Sequence, residues 1–294
     1  MNEGDALSDR FKTHRDQLRL LAYRMLGSLS EADNAVQEGW LRLARVDIDC
    51  VENPGGWLRT VVSRVCLDML RSRQSRREEL VGLEMPGESR DPGQRSDPEQ
   101  EAILADSVGR ALLVVLHTLG PAERVAFVLH DIFGVPFDEI APIVERSKVA
   151  TKKLASRARQ RVRGTPAIHG AELARHRHVV EAFLAASRAG DVDAVIAVLA
   201  PDVVRRADRA ALPSGRATEV RGARAVAEEI VVFGRDSRFA ELALVNGAVG
   251  IVVAPRGRLQ LALTVTIERE KIAGYELIAD PSRLQQLDLA VLEK

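Results

Sequence analysis

Apolar residues recur at helical spacing through the first part of the chain and give way to strand-like runs near its end. Leu18, Leu21, Ala22, Met25 and Leu26 fall on one helical face, and Ala35, Val36, Trp40, Leu41 and Leu43 repeat the pattern. Asn53-Pro54-Gly55-Gly56 interrupts it, and a further helix is predicted from Trp57 to about Arg76. Residues 82–100 are rich in Pro, Gly and acids, carry few apolar anchors and read as a linker. Periodicity resumes near Glu101 with Ile103, Leu104, Val108, Leu112, Val115 and Leu116, and ends at Gly164-Thr165-Pro166. Beyond about residue 171, helical Ala/Leu patterns fill 173–200. β-Branched runs follow at Leu242–Asn246, Gly250–Ala254, Leu259–Ile267 and Ile272–Ile278, with turns at Gly247, Pro255-Arg256-Gly257 and Glu270-Lys271. Helices first and a meander of strands afterwards predict all-α domains followed by a small α+β domain.

Length and composition narrow this further. At 294 residues with 46% hydrophobic side chains, the chain is long and apolar enough for two or three globular domains. Aromatics at 4% leave the cores to Leu, Val and Ala. No apolar run approaches the roughly 18 residues of a membrane span, and the N-terminal MNEGDALSDRFK is too polar for a signal peptide. Cys50 and Cys66 are too far apart for a CxxC site and read as buried thiols. The expectation is a cytoplasmic protein without metal or cofactor.

Charge is where the pattern becomes specific. The formal net charge is zero, yet Arg146 to Arg163 holds eight Lys/Arg and no Asp or Glu. A short apolar-periodic helix (Ile140, Ala141, Ile143, Val144) precedes it, and Glu145-Arg146-Ser147 makes a tight break. This is the layout of a helix-turn-helix whose second helix meets a polyanion. The turn normally favours Gly for a positive φ, and Glu145 stands there instead. Ser147 is placed to cap the second helix, with Lys148, Thr151, Lys152 and Lys153 at the end that faces base edges. Arg157, Arg159, Arg161 and Arg163 follow where phosphates would be met. A merely solvated basic helix would carry interspersed carboxylates.

Two further segments are weaker alone. WLRTVVSRVCLDMLRSRQSRR, residues 57–77, sets Arg59, Arg64, Arg71, Arg73, Arg76 and Arg77 against one acid, Asp68. With Thr60, Ser63 and Arg64 near Trp57, it suits single-stranded nucleic acid, but equally an amphipathic core helix with a basic outer face. EADNAVQEGWLRL, residues 31–43, reads by itself as a bundle helix with an exposed Asp33, Gln37, Glu38 and Arg42 side.

Taken in this order, the three segments resemble a bacterial RNA polymerase sigma factor of the extracytoplasmic-function type, over about residues 8–165. AYRMLGSLSEADNAVQEGWLRL is similar to the helix pair that binds the polymerase clamp. The resemblance implies core contacts at Asp33, Gln37, Glu38, Trp40 and Arg42; Asn34 stands where the family commonly has a carboxylate. ENPGGWLRTVVSRVCLDMLRSR is similar to the segment that opens and reads the −10 element, implying roles for Asn53, Trp57, Thr60, Ser63, Arg64, Arg71 and Arg73, with the loop around Asn53–Gly56 beside an extruded base. The segment from Leu119 to Arg163 resembles the domain that reads the −35 element. There the implied contacts are Ser147, Lys148, Thr151, Lys152, Lys153, Arg157, Arg159 and Arg161. The implied partners are core RNA polymerase and promoter DNA.

Residues 178–281 resemble a SnoaL-type cone, a curved antiparallel sheet wrapped by helices, as carried by a group of these sigma factors that it regulates in cis. Three stretches depart from that group: LEMPGE in the linker, RAALPSGR after Asp208, and ADPSRL at Ala279–Leu284. The implied layout is residues 8–78 for the −10 domain, 79–101 for the linker, 102–165 for the −35 domain and 172–285 for the cone. The cone would touch the sigma domains or the linker. Two other readings stay open: a DNA-binding regulator that is not a polymerase subunit, and a SnoaL-like enzyme fused to a DNA-binding module. The enzyme needs paired titratable groups in the cone. All six histidines lie at or before His178, leaving Asp202, Asp208, Glu219, Tyr275 and Asp280 without an evident partner. No catalytic residue is therefore assigned.

Overall fold

The three apolar patterns of the first eighty residues become three helices: α1 (Glu3–Leu26), α2 (Leu29–Leu43) and α3 (Pro54–Leu80). The structure, a computed structural model, describes residues 3–43, 45, 53–80, 105 and 108–292. The expected linker at 82–100 and Cys50 lie outside these. The chain divides into two units, one of Met1–Ile103 with Leu116–Arg159, the other of Leu104–Val115 with Gln160–Lys294.

In the first unit, Leu21, Tyr23, Met25 and Leu26 of α1 are buried with Ala32, Ala35 and Val36 of α2 and Leu58, Val62, Cys66 and Leu67 of α3. Gly39 lets α2 lie close to α3, since a Cβ there would meet Val62 Cγ2 at 2.8 Å. After α4 (Arg110–Thr118), of which Arg110–Val115 belong to the second unit, α5 (Pro121–Phe127) runs into a π turn, Val128–Ile132. α6 (Phe137–Val144) and α7 (Lys148–Arg163) form the helix-turn-helix. Arg124 ties this part to α1. Its buried guanidinium donates to the carbonyls of Met25 at 3.0 Å, His117 at 3.0 Å and Leu119 at 3.3 Å. Those carbonyls lie at or just past helix C-termini, where the helix leaves acceptors unfilled.

The second unit carries α8 (Gly170–Ala189), α9 (Val192–Val198), β1 (Leu199–Ala207), β2 (Glu219–Arg221), α10 (Ala223–Phe233), β3 (Ala240–Val245), β4 (Ala248–Val253), β5 (Leu261–Glu268), β6 (Lys271–Ile278), α11 (Pro281–Gln285) and β7 (Leu289–Val291). These make one seven-stranded sheet in the order β2-β1-β6-β5-β4-β3-β7. The four strands read from the sequence are β3 to β6; β1, β2 and β7 were not read. Neighbouring strands are antiparallel except β1 with β6, which run parallel. Their pairing shifts register between Leu199 and Val204, across Pro201, which has no N–H for the ladder. The β3–β4 hairpin turns on Asn246 (φ 53) and Gly247 (φ 79), the left-handed pair that suits strand twist. Val180, Phe183 and Leu184 of α8, Val195 of α9 and Val226 and Ala227 of α10 share a core with Val203, Ile251, Ile272 and Tyr275. The fold is thus two all-α regions followed by an α+β domain built on one mostly antiparallel sheet.

Candidate nucleic-acid and polymerase interfaces

α7 begins where capping chemistry places it. Ser147 Oγ accepts from the Ala150 amide at 3.2 Å, and α6 ends on Glu145 at φ 57, ψ 45. A non-Gly residue in that left-handed conformation costs about 1–2 kcal/mol. The Glu145 side chain is put to use by pairing with Arg71 at 2.9 Å.

The helix then separates into two faces. Thr151, Ala155, Ala158 and Val162 recur every three or four residues and are buried. Lys148, Val149, Lys152, Lys153, Ser156 and Arg157 are exposed on the opposite side, and none of the six is an acid. Lys148 pairs with Asp138 at 2.7 Å, and Lys152 Nζ sits 5.9 Å over the Phe137 ring. One expected −35 contact is corrected. Thr151 is 0% exposed, and its hydroxyl donates to the Ser147 carbonyl at 3.0 Å. Arg159, part-exposed beside the stripe, pairs with Asp131 at 2.6 Å, which raises its already high pKa. Arg161 is exposed, further along the helix.

α3 is different. Asn53-Pro54-Gly55-Gly56, expected as a loop, is a cap and first turn: Asn53 Oδ1 accepts from the Gly56 amide at 2.9 Å, and Pro54 opens the helix, where its missing N–H costs nothing. Trp57 is half-buried, and Thr60 donates to the Gly56 carbonyl at 3.0 Å. Ser63 is a further correction: it lies 0% exposed on the same helix as buried Val62, Cys66 and Leu67. Arg73, also expected to face DNA, instead donates to the Leu26 carbonyl at 3.1 Å and pairs with Glu31, so it braces α3 against the ends of α1 and α2. Three other arginines meet the helix-turn-helix. Arg59 pairs with Glu139 at 3.0 Å, Arg64 donates to the Pro142 carbonyl at 3.4 Å, and Arg71 pairs with Glu145.

On α2, Asn34, Gln37, Leu41 and Arg42 are exposed, and Glu38 is held by Arg42 at 2.9 Å. Asp33 makes a two-pronged contact with Arg19 at 2.6 and 3.1 Å. Trp40 is half-buried. Leu41, which fits the apolar helical period of a core position, is instead 46% exposed in the middle of this polar face.

In the second unit the candidate acids serve structure. Asp208 accepts from the amides of Ala211 at 3.0 Å, Ala279 at 2.9 Å and Asp280 at 2.8 Å. Asp280 caps α11 through Ser282 and Arg283, both at 3.0 Å. Glu219 is exposed between Arg221 and Arg206, which lower its pKa. Asp202 is exposed. Tyr275 lies on the β6 position opposite Arg205 of β1, and burial pushes its phenol up, keeping it protonated. Arg205, missed in the sequence, is buried and paired with Glu229. Its place on the inward face of β1, between Val203 and Ala207, was the available signal. The same unit holds the start of α4: Glu241 accepts from the Ala111 amide at 2.9 Å, and the Arg110 guanidinium stacks 5.5 Å from the Phe239 ring.

A three-helix bundle joined to a helix-turn-helix with a basic outer stripe defines a DNA-binding protein of the sigma-70 type. Residues 10–76 match the family model of sigma-70 region 2, and residues 109–162 that of sigma-70 region 4. The chain is 36% identical over 290 residues to the ECF RNA polymerase sigma factor SigJ of Mycobacterium tuberculosis, covering 93% of this chain and 91% of that protein. It is 33% identical over 288 residues to the probable ECF RNA polymerase sigma factor SigI of the same species, covering 98% of each. A crystal structure of the Mycobacterium tuberculosis SigJ covers 94% of this chain and 98% of its own at 30% identity, with a TM-score of 0.45. The chain belongs to the extracytoplasmic-function RNA polymerase sigma factors. Its function is that of an alternative sigma factor, which directs core RNA polymerase to promoters, and its relatives are sigma factors and not enzymes. Among the described residues, no helix is long and apolar enough to cross a membrane.

Proposed function

We propose that α7 reads the −35 element through its exposed stripe, α3 reads the −10 element, α2 binds core polymerase, and the C-terminal domain tunes the factor in cis, in the cytoplasm where polymerase works. The observation that carries this reading is the acid-free stripe of α7. Lys152 and Lys153 are exposed in its first two turns and Arg157 and Arg161 further along, an order that suits base edges first and phosphates after. The residues for −35 binding are then Ser147, Lys148, Lys152, Lys153, Arg157, Arg159 and Arg161. For the −10 element they are Asn53, Trp57, Thr60, Arg64 and Arg71, and for core Asp33, Gln37, Glu38, Trp40 and Arg42. Because Arg59, Arg64 and Arg71 engage α6 and its turn, α3 must part from them before it meets DNA. The domain limits 8–78, 79–101, 102–165 and 172–285 belong to this proposal.

Control in cis is supported by the start of α4, Arg110–Val115, which belongs to the same unit as the C-terminal sheet. Glu241 and Phe239 of that sheet domain meet Ala111 and Arg110. A carboxylate at a helix N-terminus satisfies free amides and the helix dipole. Such contacts would give the C-terminal domain a handle on the first helix of the region 4 match.

The test is transcription in vitro with purified core polymerase and the full chain on a library of random promoter sequences. Start sites sharing −35 and −10 motifs are expected. Binding to core-free DNA with no initiation would sink the sigma assignment of these surfaces in favour of a plain DNA-binding regulator. Glu241→Ala is expected to change initiation by several-fold, and unchanged initiation would remove the in-cis control while leaving promoter reading intact.

A further inference from the structure

The stripe on α7 holds one side chain that neither charge nor capping explains. Val149 is 65% exposed, in the second position of the helix. Its neighbours along the exposed face, Lys148, Lys152 and Lys153, are all cationic. The buried face of α7 is supplied without it, by Thr151, Ala155, Ala158 and Val162. A β-branched residue is also a weaker helix former than the polar residues around it. The fold therefore gains nothing from an isopropyl group here.

The location gives it a use. In a helix-turn-helix the first residues of the second helix face base edges in the major groove. There, the apolar feature that distinguishes one base from the rest is the 5-methyl group of thymine, read by contact with an apolar side chain. Cationic neighbours suit guanine acceptors and phosphates, and none of them offers a surface for a methyl group. We propose that Val149 is a specificity-determining residue of this sigma factor, selecting thymine at one position of the −35 element by covering its 5-methyl group. The inference rests on α7 being the −35 reader.

The lysines next to it set its approach. Lys148 is pinned to Asp138 at 2.7 Å, and Lys152 is steered over the Phe137 ring. Both long chains are thereby drawn toward α6. Val149 has no such tether and stands at the exposed edge of the stripe. Burying one methyl-sized group is worth about 0.8 kcal/mol, or about fourfold in affinity. The expected signature is a modest, position-specific preference rather than a general gain in binding.

The experiment uses holoenzyme assembled from core polymerase and the full chain, on a promoter taken from the random library. Each thymine of the −35 element is replaced in turn by deoxyuridine, which removes the methyl group and nothing else. For the wild-type chain, one thymine should lose about fourfold in open-complex formation. Val149→Ala, at an exposed helix position that tolerates alanine, should lose a similar amount on the thymine promoter and become indifferent to deoxyuridine there. Val149→Thr, which keeps one methyl, should fall between. If Val149→Ala keeps the full deoxyuridine effect, or if no −35 thymine shows one in the wild type, the inference is overturned. A separate arm tests the reading beneath it: Lys152→Ala should change the −35 motif recovered from the library. An unchanged motif in that arm removes α7 as the reader, whatever Val149 does.

Discussion

α3 and α7 are both basic helices expected to face DNA, and they differ in how much of their charge the protein itself engages. On α3, Arg59, Arg64, Arg71 and Arg73 each have a protein partner, in Glu139, the Pro142 carbonyl, Glu145 and Glu31. On α7, Lys152, Lys153 and Arg157 have no ion-pair partner among the described residues. The acids that engage Arg59 and Arg71 lie 80 and 74 residues away in sequence. A local count of charges measures what a helix could offer to a polyanion. The tertiary fold decides how much of that is on offer at once. Ion pairs as exposed as these are worth only about 0–1 kcal/mol each, so they hold α3 without locking it.

The largest effect is expected on α7. Replacing Lys152 and Arg157 together by Ala should lower −35-dependent open-complex formation by tenfold or more, since a single good base contact is worth about 1–3 kcal/mol. Thermal unfolding should move little, because surface substitutions of this kind stay within about 0.5 kcal/mol. A stability loss with promoter binding intact would mean that the α7 stripe is structural, and the contrast with α3 would disappear.

Next comes Arg73→Ala on α3, where the roles reverse. Its removal leaves Glu31, whose side chain is 23% exposed, and the Leu26 carbonyl without that donor. Leaving such groups short costs about 1–3 kcal/mol. Urea denaturation should show the loss, while the salt dependence of DNA binding stays as in the wild type. A shallower salt slope at unchanged stability would return Arg73 to the DNA-facing set.

How much of this was legible depended on how local the cause was. The turn and the start of the second helix were legible, because capping by Ser147, the left-handed turn at Glu145 and the charge pattern of α7 all act within a few positions. The four strands of the meander were legible for the same reason. β1 was not: Pro201 and two adjacent arginines disguise a strand whose partner, β6, lies some seventy residues further on. At the candidate sites, Thr151 and Ser63 were mistaken for contacts because a small hydroxyl fits either face of a helix. The apolar period passing through each is what should have placed it inside. Leu41 and Val149 show the converse, apolar side chains exposed where polar ones were expected to act. Arg205 with Glu229, and Arg124 with three carbonyls, depend on long-range contacts that a single sequence does not display.

A smaller effect should separate the two helices by their partners. Glu139→Gln with Glu145→Gln removes the charges that hold Arg59 and Arg71, leaving both arginines in place. Two newly available cations should steepen the salt dependence of single-stranded DNA binding by about 1.4, at roughly 0.7 per contact. Stability should change by no more than about 1 kcal/mol per exposed pair. An unchanged slope would show that α3 is blocked by packing against α6 and not by charge, and the comparison would then be one of burial.

The smallest effect is expected at Thr151, which tests whether the two faces of α7 are separate. Thr151 Oγ1 donates to the Ser147 carbonyl, which also accepts the Thr151 amide at 2.9 Å. Thr151→Ala therefore removes one hydrogen bond without orphaning its acceptor, and it brings in the strongest helix former. Loss of one such bond is worth about 1 kcal/mol, and the gain in helix propensity offsets part of it. The melting temperature should fall slightly and the recovered −35 motif should not change at any position. The distinction rests on side-chain direction, since Thr151 points with Ala155 and Ala158 into the unit while Lys152 and Lys153 point out of it. A shifted motif in Thr151→Ala would mean that a 0% exposed residue still sets the geometry of base recognition. The free face of α7 would then depend on its packing as closely as the engaged face of α3 does.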